Sequence, residues 1–180
     1  MRIVAGERKG TRLAAPAGRA ARPTSDRVRE SLFAILGDVA GAAVLDPFAG
    51  SGALGLEALS RGAETVAFCD TDRLALAAVR ENALRLRYAD RCTIRRQDAR
   101  RRLAADRAAG VTYDLVLLDP PYAMLADVTE QLEADLPALL APGGRAVLER
   151  RASDRAPEPA LEVDVERTYG DTAITVWRRG

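Results

Sequence analysis

No histidine occurs anywhere in the 180 residues, and there are only two cysteines, Cys69 and Cys92. The first absence removes every mechanism that needs an imidazole base. With so few thiols it also leaves too few ligands for a structural zinc, and no metal is expected. Both cysteines lie in apolar, strand-like surroundings, where a buried thiol behaves as a small hydrophobe, so they are expected in the core and unpaired. No apolar run approaches the roughly 18 residues of a membrane span, and MRIVAGERKG at the N-terminus breaks into charge after five residues. A soluble, cytoplasmic chain without membrane contact is expected. At 48% hydrophobic it has enough apolar surface for one well-cored domain.

Lysine is almost missing as well: 26 of the 27 basic residues are arginine, and the net charge is +1. That near-neutrality conceals segregation. Residues 1–30 hold eight basic side chains (Arg2, Arg8, Lys9, Arg12, Arg19, Arg22, Arg27, Arg29) against three acids, and residues 91–107 hold seven arginines against Asp98 and Asp106. Compositional bias explains arginine in place of lysine but not the clustering, which suits a face that binds a polyanion.

From Ala42 onward, apolar β-branched runs alternate with helical patterns, the signature of a parallel sheet with crossover helices. Strands are predicted at 42–48, 65–70, 92–98, 113–119 and 144–150. Leu76, Val79, Ala83 and Leu86 share one face of a helix that Asp72 is placed to begin. Pro142 and the glycines after it should stop a helix before the fifth strand. LEVDVERTY and TAITVWRR, joined by Gly170-Asp171, read as a hairpin with at least one antiparallel member. Ahead of this lies a separate region, 1–40: a small hairpin around GERKG, then a helix with Val28, Leu32, Ile35 and Leu36 inward and Arg27, Arg29 and Glu30 outward. The division expected is thus an N-terminal extension, 1–40, and a main domain, 41–180.

DPFAGSGALG, Asp46 to Gly55, contains Gly50-x-Gly52-x-x-Gly55. The glycines report only that a strand turns tightly into a helix beneath a bound nucleotide. In such sheets ligands lie beyond the carboxyl ends of the strands, and four predicted strands end in aspartate: Asp46, Asp70, Asp98 and Asp119. Asp70, 15 residues after Gly55, could accept from both ribose hydroxyls of a nicotinamide or an S-adenosylmethionine cofactor, and Asp98 from an adenine amine. A single aspartate of this kind would read as a polar strand end or a helix cap; four together on one edge are harder to explain that way.

Asp119-Pro120-Pro121-Tyr122 narrows the choice. Two prolines fix φ and delete two donors, so the Asp119 carboxylate and the Pro120 carbonyl are held as rigid acceptors, suited to an NH2 group, with an aromatic next to them that can stack on a base. Hydride transfer has no use for that arrangement.

RPTSDRVRESLF, VLDPFAGSGALGLEALSRGA, DLVLLDPPY and YGDTAITVWR, in this order, resemble one family of class I S-adenosylmethionine-dependent methyltransferases. It is the bacterial 16S ribosomal RNA guanine-N2 methyltransferases, or small subunit methyltransferase D, and the likeness runs over nearly the whole chain. The DPPY element is shared with other base-amino methyltransferases; its combination with Arg22-Pro23-Thr24 is the specific part. The resemblance implies a doubly wound, mostly parallel seven-stranded α/β sheet, an S-adenosyl-L-methionine cofactor, and methylation of a guanine N2 amine in small-subunit ribosomal RNA or its assembly particle by a monomer. It implies that Asp46, Gly50, Ser51 and Gly52 wrap the methionine part, that Asp70 takes the ribose and Asp98 the adenine, and that Asp119, Pro120 and Tyr122 position the base. Where the family often carries glutamate at the end of the second strand, this chain has the shorter Asp70. Arg22, Thr24, Arg27 and Arg29 would belong to the lid or the RNA path, and Arg8, Lys9 and Arg12 to RNA binding. Readings that share some of these features are adenine-N6 methylation of RNA or DNA, a nicotinamide-dependent oxidoreductase, and a non-catalytic RNA-binding assembly protein.

Overall fold

The computed structural model describes residues 1–16 and 26–180, and of Tyr122 the backbone alone. In chain order the elements are α1 (Asp26–Leu36), β1 (Ala43–Asp46), α2 (Ala53–Ser60), β2 (Thr65–Asp70), α3 (Arg73–Leu86), β3 (Cys92–Arg96), α4 (Ala99–Ala108), β4 (Tyr113–Leu118), α5 (Leu125–Leu139), β5 (Leu140–Arg151), β6 (Glu162–Tyr169) and β7 (Thr172–Arg178). Short 3-10 turns at Ala89–Arg91 and Tyr122–Met124 precede β3 and α5.

One seven-stranded sheet results, in the order β3-β2-β1-β4-β5-β7-β6. β1 to β5 are parallel, and β7 enters antiparallel between β5 and β6. This is the doubly wound, mostly parallel class I methyltransferase sheet that the resemblance implies. Central strands read as unbroken apolar runs because both of their faces are covered. Val44, Leu115, Leu117 and Val147 point into a cluster with α1, α2 and α3. Leu45, Val116, Leu118 and Leu148 point the other way, onto Leu103 of α4 and the Val128, Leu132 and Leu136 stripe of α5. Strand order reverses between β1 and β4, so the crevice of this sheet opens at their carboxyl ends.

The predicted α3 stripe, Leu76, Val79, Ala83 and Leu86, is buried as expected, and Asp72 caps that helix by accepting from Leu74 N at 2.8 Å. Three bounds differ by two residues or more. β1 stops at Asp46, and β3 stops at Arg96, two residues before Asp98. β5 starts at Leu140 rather than 144: Tyr113 pairs with Leu140 and Leu115 with Arg145, so Ala141–Gly144 bulge out of a strand that has already begun. α5 ends at Leu139, three residues before Pro142, and Leu140 is already extended.

The N-terminal residues form the expected hairpin-like arm, bridged at Arg2 and Arg12, with Ile3 N donating to Thr11 O and Gly10 N to Ile3 O. It has no core of its own. Ile3 and Leu13 belong to the cluster that holds Leu32, Phe33 and Leu36 of α1 and Leu56 and Leu59 of α2. The arm lies along α2. Met1 Sδ is 3.8 Å from Ser51 Oγ at the helix start, Val4 N and Ala5 N donate to Glu57, and Glu7 N reaches Ser60 O, 2.8 Å away at the helix end. Every residue of α2 is buried in consequence.

Candidate functional site

β1 delivers Asp46 to the crevice, and the chain then makes the glycine turn. Gly50 (φ 52°) and Gly52 (φ 81°) are both left-handed, a conformation that side chains resist, and Gly52 caps α2. Gly55 serves packing: a Cβ there would stand 2.3 Å from the Phe68 ring on β2. At Gly50 nothing lies within 4 Å of where a Cβ would be, so the turn is open on that side.

The turn's amides are already engaged. Gly50 N donates to Asp70 Oδ2 at 2.9 Å, Gly52 N to Ala49 O at 2.7 Å, and Gly55 N to Asp46 Oδ2 at 3.2 Å. A diphosphate seated on a helix N-terminus depends on such N–H groups; here the protein's own acceptors hold these three. The Asp70 carboxylate also accepts from Asp72 N through Oδ1, at 2.8 Å, and so locks the end of β2 against the glycine turn.

Asp46 is the anomaly. It is 1% exposed, and its Oδ1 has no hydrogen-bond partner among the described residues. Burial pushes its carboxyl up to about 7; the Gly55 and Phe48 backbone amides oppose this, while the negative charges of Asp119 and Asp70 add to it. Three carboxylates thus converge at the ends of β1, β2 and β4, the pattern of a pocket that prefers a cation. Among the described residues no group of His, Cys, Asp or Glu is arranged as metal ligands. A sulfonium amino acid carries both an ammonium, which the bare Asp46 oxygen suits, and a second positive charge, so these residues fit such a group.

Asp119 follows β4 directly and is partly buried, Pro120 is buried, and Tyr122 opens the 3-10 turn that leads into α5. Leu118 pairs with Leu148, so the next residues, Asp119 and the buried Glu149, stand at the same level on adjacent strands. Asp98 takes the part of a helix cap: its Oδ1 accepts from Arg100 N, Arg101 N and Arg100 Nε. Its pKa is lowered, because burial, which alone would raise it, is outweighed by the Arg100 side chain and the backbone amides.

The family model described as conserved hypothetical protein 95 matches residues 1–178. The chain belongs to that family. It is 36% identical over 190 residues to YlbH of Bacillus subtilis, whose name gives it as a candidate rRNA methyltransferase, with 99% of each chain covered. It is 40% identical over 123 residues to the ribosomal RNA small subunit methyltransferase D of Escherichia coli, covering 68% of this chain and 60% of that relative. The solved structure of Escherichia coli yhhF, described as a candidate methyltransferase, superposes with a TM-score of 0.82 at 32% identity, covering 99% of this chain and 97% of that one.

In this member of the conserved hypothetical protein 95 family the basic residues divide sharply. Arg29 is not on the outer face of α1. It is 0% exposed, paired with Asp26 Oδ1 at 2.9 Å and Glu57 Oε2 at 3.6 Å, and bonded to Arg2 O. That corrects its assignment to RNA binding: a guanidinium so enclosed cannot meet a phosphate. Arg27, Lys9 and Arg12 are exposed and Arg8 partly so. Arg8 and Lys9 sit at the arm's tip, beside the end of α2 and about 12 Å from the glycine turn by the length of that helix. In the second basic segment Arg102 is buried with Asp106 and Tyr113, and Arg107 pairs with Asp135. Arg95, Arg96 and Arg101 are exposed. Arg22 and Thr24 lie outside the described residues. Both thiols are free, and burial pushes Cys69 up to about 11 and Cys92 to about 12. Two residues escaped the sequence reading: Glu57, and Asn82 on α3, both fully buried. Asn82 had a signal, because a polar residue beside Val79 and Ala83 on an apolar stripe must find partners inside.

Proposed function

We propose that this chain methylates the exocyclic N2 amine of a guanine in small-subunit ribosomal RNA, using S-adenosylmethionine. The observation that carries the reading is the convergence of Asp46, Asp70 and Asp119 at an open glycine turn whose Gly50, Gly52 and Gly55 amides are engaged by the protein itself. The same observation speaks against a nicotinamide dinucleotide, whose diphosphate would meet three carboxylates. The names of the ribosomal RNA methyltransferases similar to this chain support the substrate class.

S-Adenosylmethionine, when bound, supplies an electrophilic methyl carbon. Asp46 would hold the amino-acid ammonium and Asp70 the ribose hydroxyls; the Asp98 cap occupies Oδ1 and leaves Oδ2 for the adenine amine. Asp119 and the Pro120 carbonyl accept hydrogen bonds from the guanine NH2, which draws the nitrogen lone pair out of conjugation with the ring. Asp119 would stabilise the positive charge that grows on the nitrogen as it takes up the methyl group. The surplus proton then leaves through Asp119 or to solvent. Tyr122 would stack on the unpaired base, and Arg8, Lys9, Arg12, Arg22 and Arg27 would follow the RNA backbone.

Asp119→Asn tests this directly, because it keeps the shape but removes the charge and presents a competing donor to the amine. Single-turnover methylation should fall on the order of a hundred- to a thousand-fold, with cofactor affinity within a few fold. A normal rate would refute the amine-positioning role. Mass spectrometry of ribosomal RNA nucleosides from cells with and without the gene identifies the product; loss of an N6-methyladenosine instead of an N2-methylguanosine would move the target to adenine.

A further inference from the structure

The carboxamide of Asn82 spends all its donors on two separate segments. Oδ1 accepts from Ala14 N at 2.7 Å, while Nδ2 donates to Ala14 O at 3.0 Å and to Ser51 O at 3.1 Å. Ser51 lies between the left-handed Gly50 and Gly52, in a turn whose backbone has little conformational preference of its own. Its shape is imposed by its bonds: Asp70 at Gly50 N, Ala49 O at Gly52 N, and Asn82 at Ser51 O. Of these three, Asn82 alone also binds the arm. The arm in turn is fastened through buried Ile3 and through Glu57, which takes Val4 N and Ala5 N from the helix that the turn begins.

We propose that Asn82 is a positioning residue through which the N-terminal arm sets the glycine turn, so that residues 1–14 and the S-adenosylmethionine site form one cooperative unit. This rests on reading the turn as that site. Displacing the arm strands a buried carboxamide, and a displaced Asn82 releases the Ser51 carbonyl; coupling of this kind is reciprocal, so the ligand must steady the arm as much as the arm steadies the turn.

The test pairs calorimetric titration of S-adenosylhomocysteine with hydrogen exchange at the Ala14 amide. In the wild-type chain the ligand should bind and slow Ala14 exchange. Asn82→Ala should bind about tenfold more weakly, the equivalent of about one hydrogen bond, and Ala14 exchange should no longer respond to ligand. Asn82→Asp keeps the size and the acceptor for Ala14 N but sets an oxygen against both Ser51 O and Ala14 O. It should lose affinity while its Ala14 amide stays bonded, and it carries the test if the alanine variant does not fold. Variants that melt lower yet bind as tightly as wild type would reduce Asn82 to a staple and overturn the coupling alone. A wild-type chain that does not bind S-adenosylhomocysteine would overturn the cofactor reading and the coupling with it.

Discussion

Two carboxylates are buried on either side of the first turns of α2, and the protein treats them in opposite ways. Glu57, on the back of the helix, accepts from Val4 N, Ala5 N and Arg61 Nε and lies 3.6 Å from Arg29. Asp46, in front, is met by the Gly55 and Phe48 backbone amides, keeps Oδ1 without a hydrogen-bond partner among the described residues, and has two like charges close by. A buried charge that is completely partnered fastens elements together. One left partly bare beside its own kind holds a preference for a cation that the chain does not supply.

The largest test of that contrast is Glu57→Ala. It takes from the buried Arg29 one of its two carboxylate partners, leaving Asp26, and frees the Val4 and Ala5 amides and Arg61, and should cost about 3–5 kcal/mol in denaturant unfolding. A loss below about 1 kcal/mol, the scale of exposed pairs, would make Glu57 no more structural than a surface acid.

Asp46→Asn should behave in the opposite sense. The folded-state pKa is raised from 3.8 to about 7, so between those values the folded chain keeps a proton that the unfolded chain has released. Stability contributed by this group is therefore present below pH 4 and is lost as pH rises toward 7, by about 4 kcal/mol in all. The asparagine variant lacks that slope. It should match wild type near pH 4, exceed it above pH 7 without added cofactor, and bind S-adenosylmethionine more weakly. A stability difference that stays flat from pH 4 to 7.5 would show that Asp46 is not strained.

The smallest effect belongs to the arm, where Lys9 and Arg12 are exposed and the partly buried Arg8 lies over the Tyr88 ring, 5.7 Å from its centroid. Replacing Arg8, Lys9 and Arg12 with alanine should leave cofactor affinity unchanged. Measured by titrations at several salt concentrations, the salt slope of RNA binding should flatten by about 0.7–0.9 per lost phosphate contact. An unaltered slope would return these side chains to the solvent.

What was legible in the sequence was local. Alternating apolar runs gave β1 to β5, the Asp72 cap announces itself by its place before the α3 stripe, and the hairpin of β6 and β7 follows from Gly170-Asp171 between two extended segments. Contacts across the chain were not legible. Arg29 looks outward beside Arg27 and Glu30 until Glu57, 28 residues later, is folded against it. Asp98 resembles the other strand-ending aspartates until β3 is seen to end at Arg96, which makes it the first residue of a helix cap. The bulge that lets β5 begin at Leu140 depends on its pairing with Tyr113, which no local pattern contains.

The reversal of strand order between β1 and β4 has a consequence in time. During synthesis the chain emerges with its arm, glycine turn and first three strands in hand, whereas Asp119 comes 73 residues after Asp46. At ~5–20 residues per second that is a wait of roughly 4 to 15 s. Through this interval β1 lacks its neighbour on one side, and the wall of the crevice that is to face the substrate does not yet exist. A nascent chain halted at Gly110 already contains Asp46, the glycine turn, Asp70 and Asp98 but not Asp119, Pro120 or Tyr122, so the residues proposed for the methyl donor are made before those proposed for the base, and the crevice between them closes only when β4 arrives.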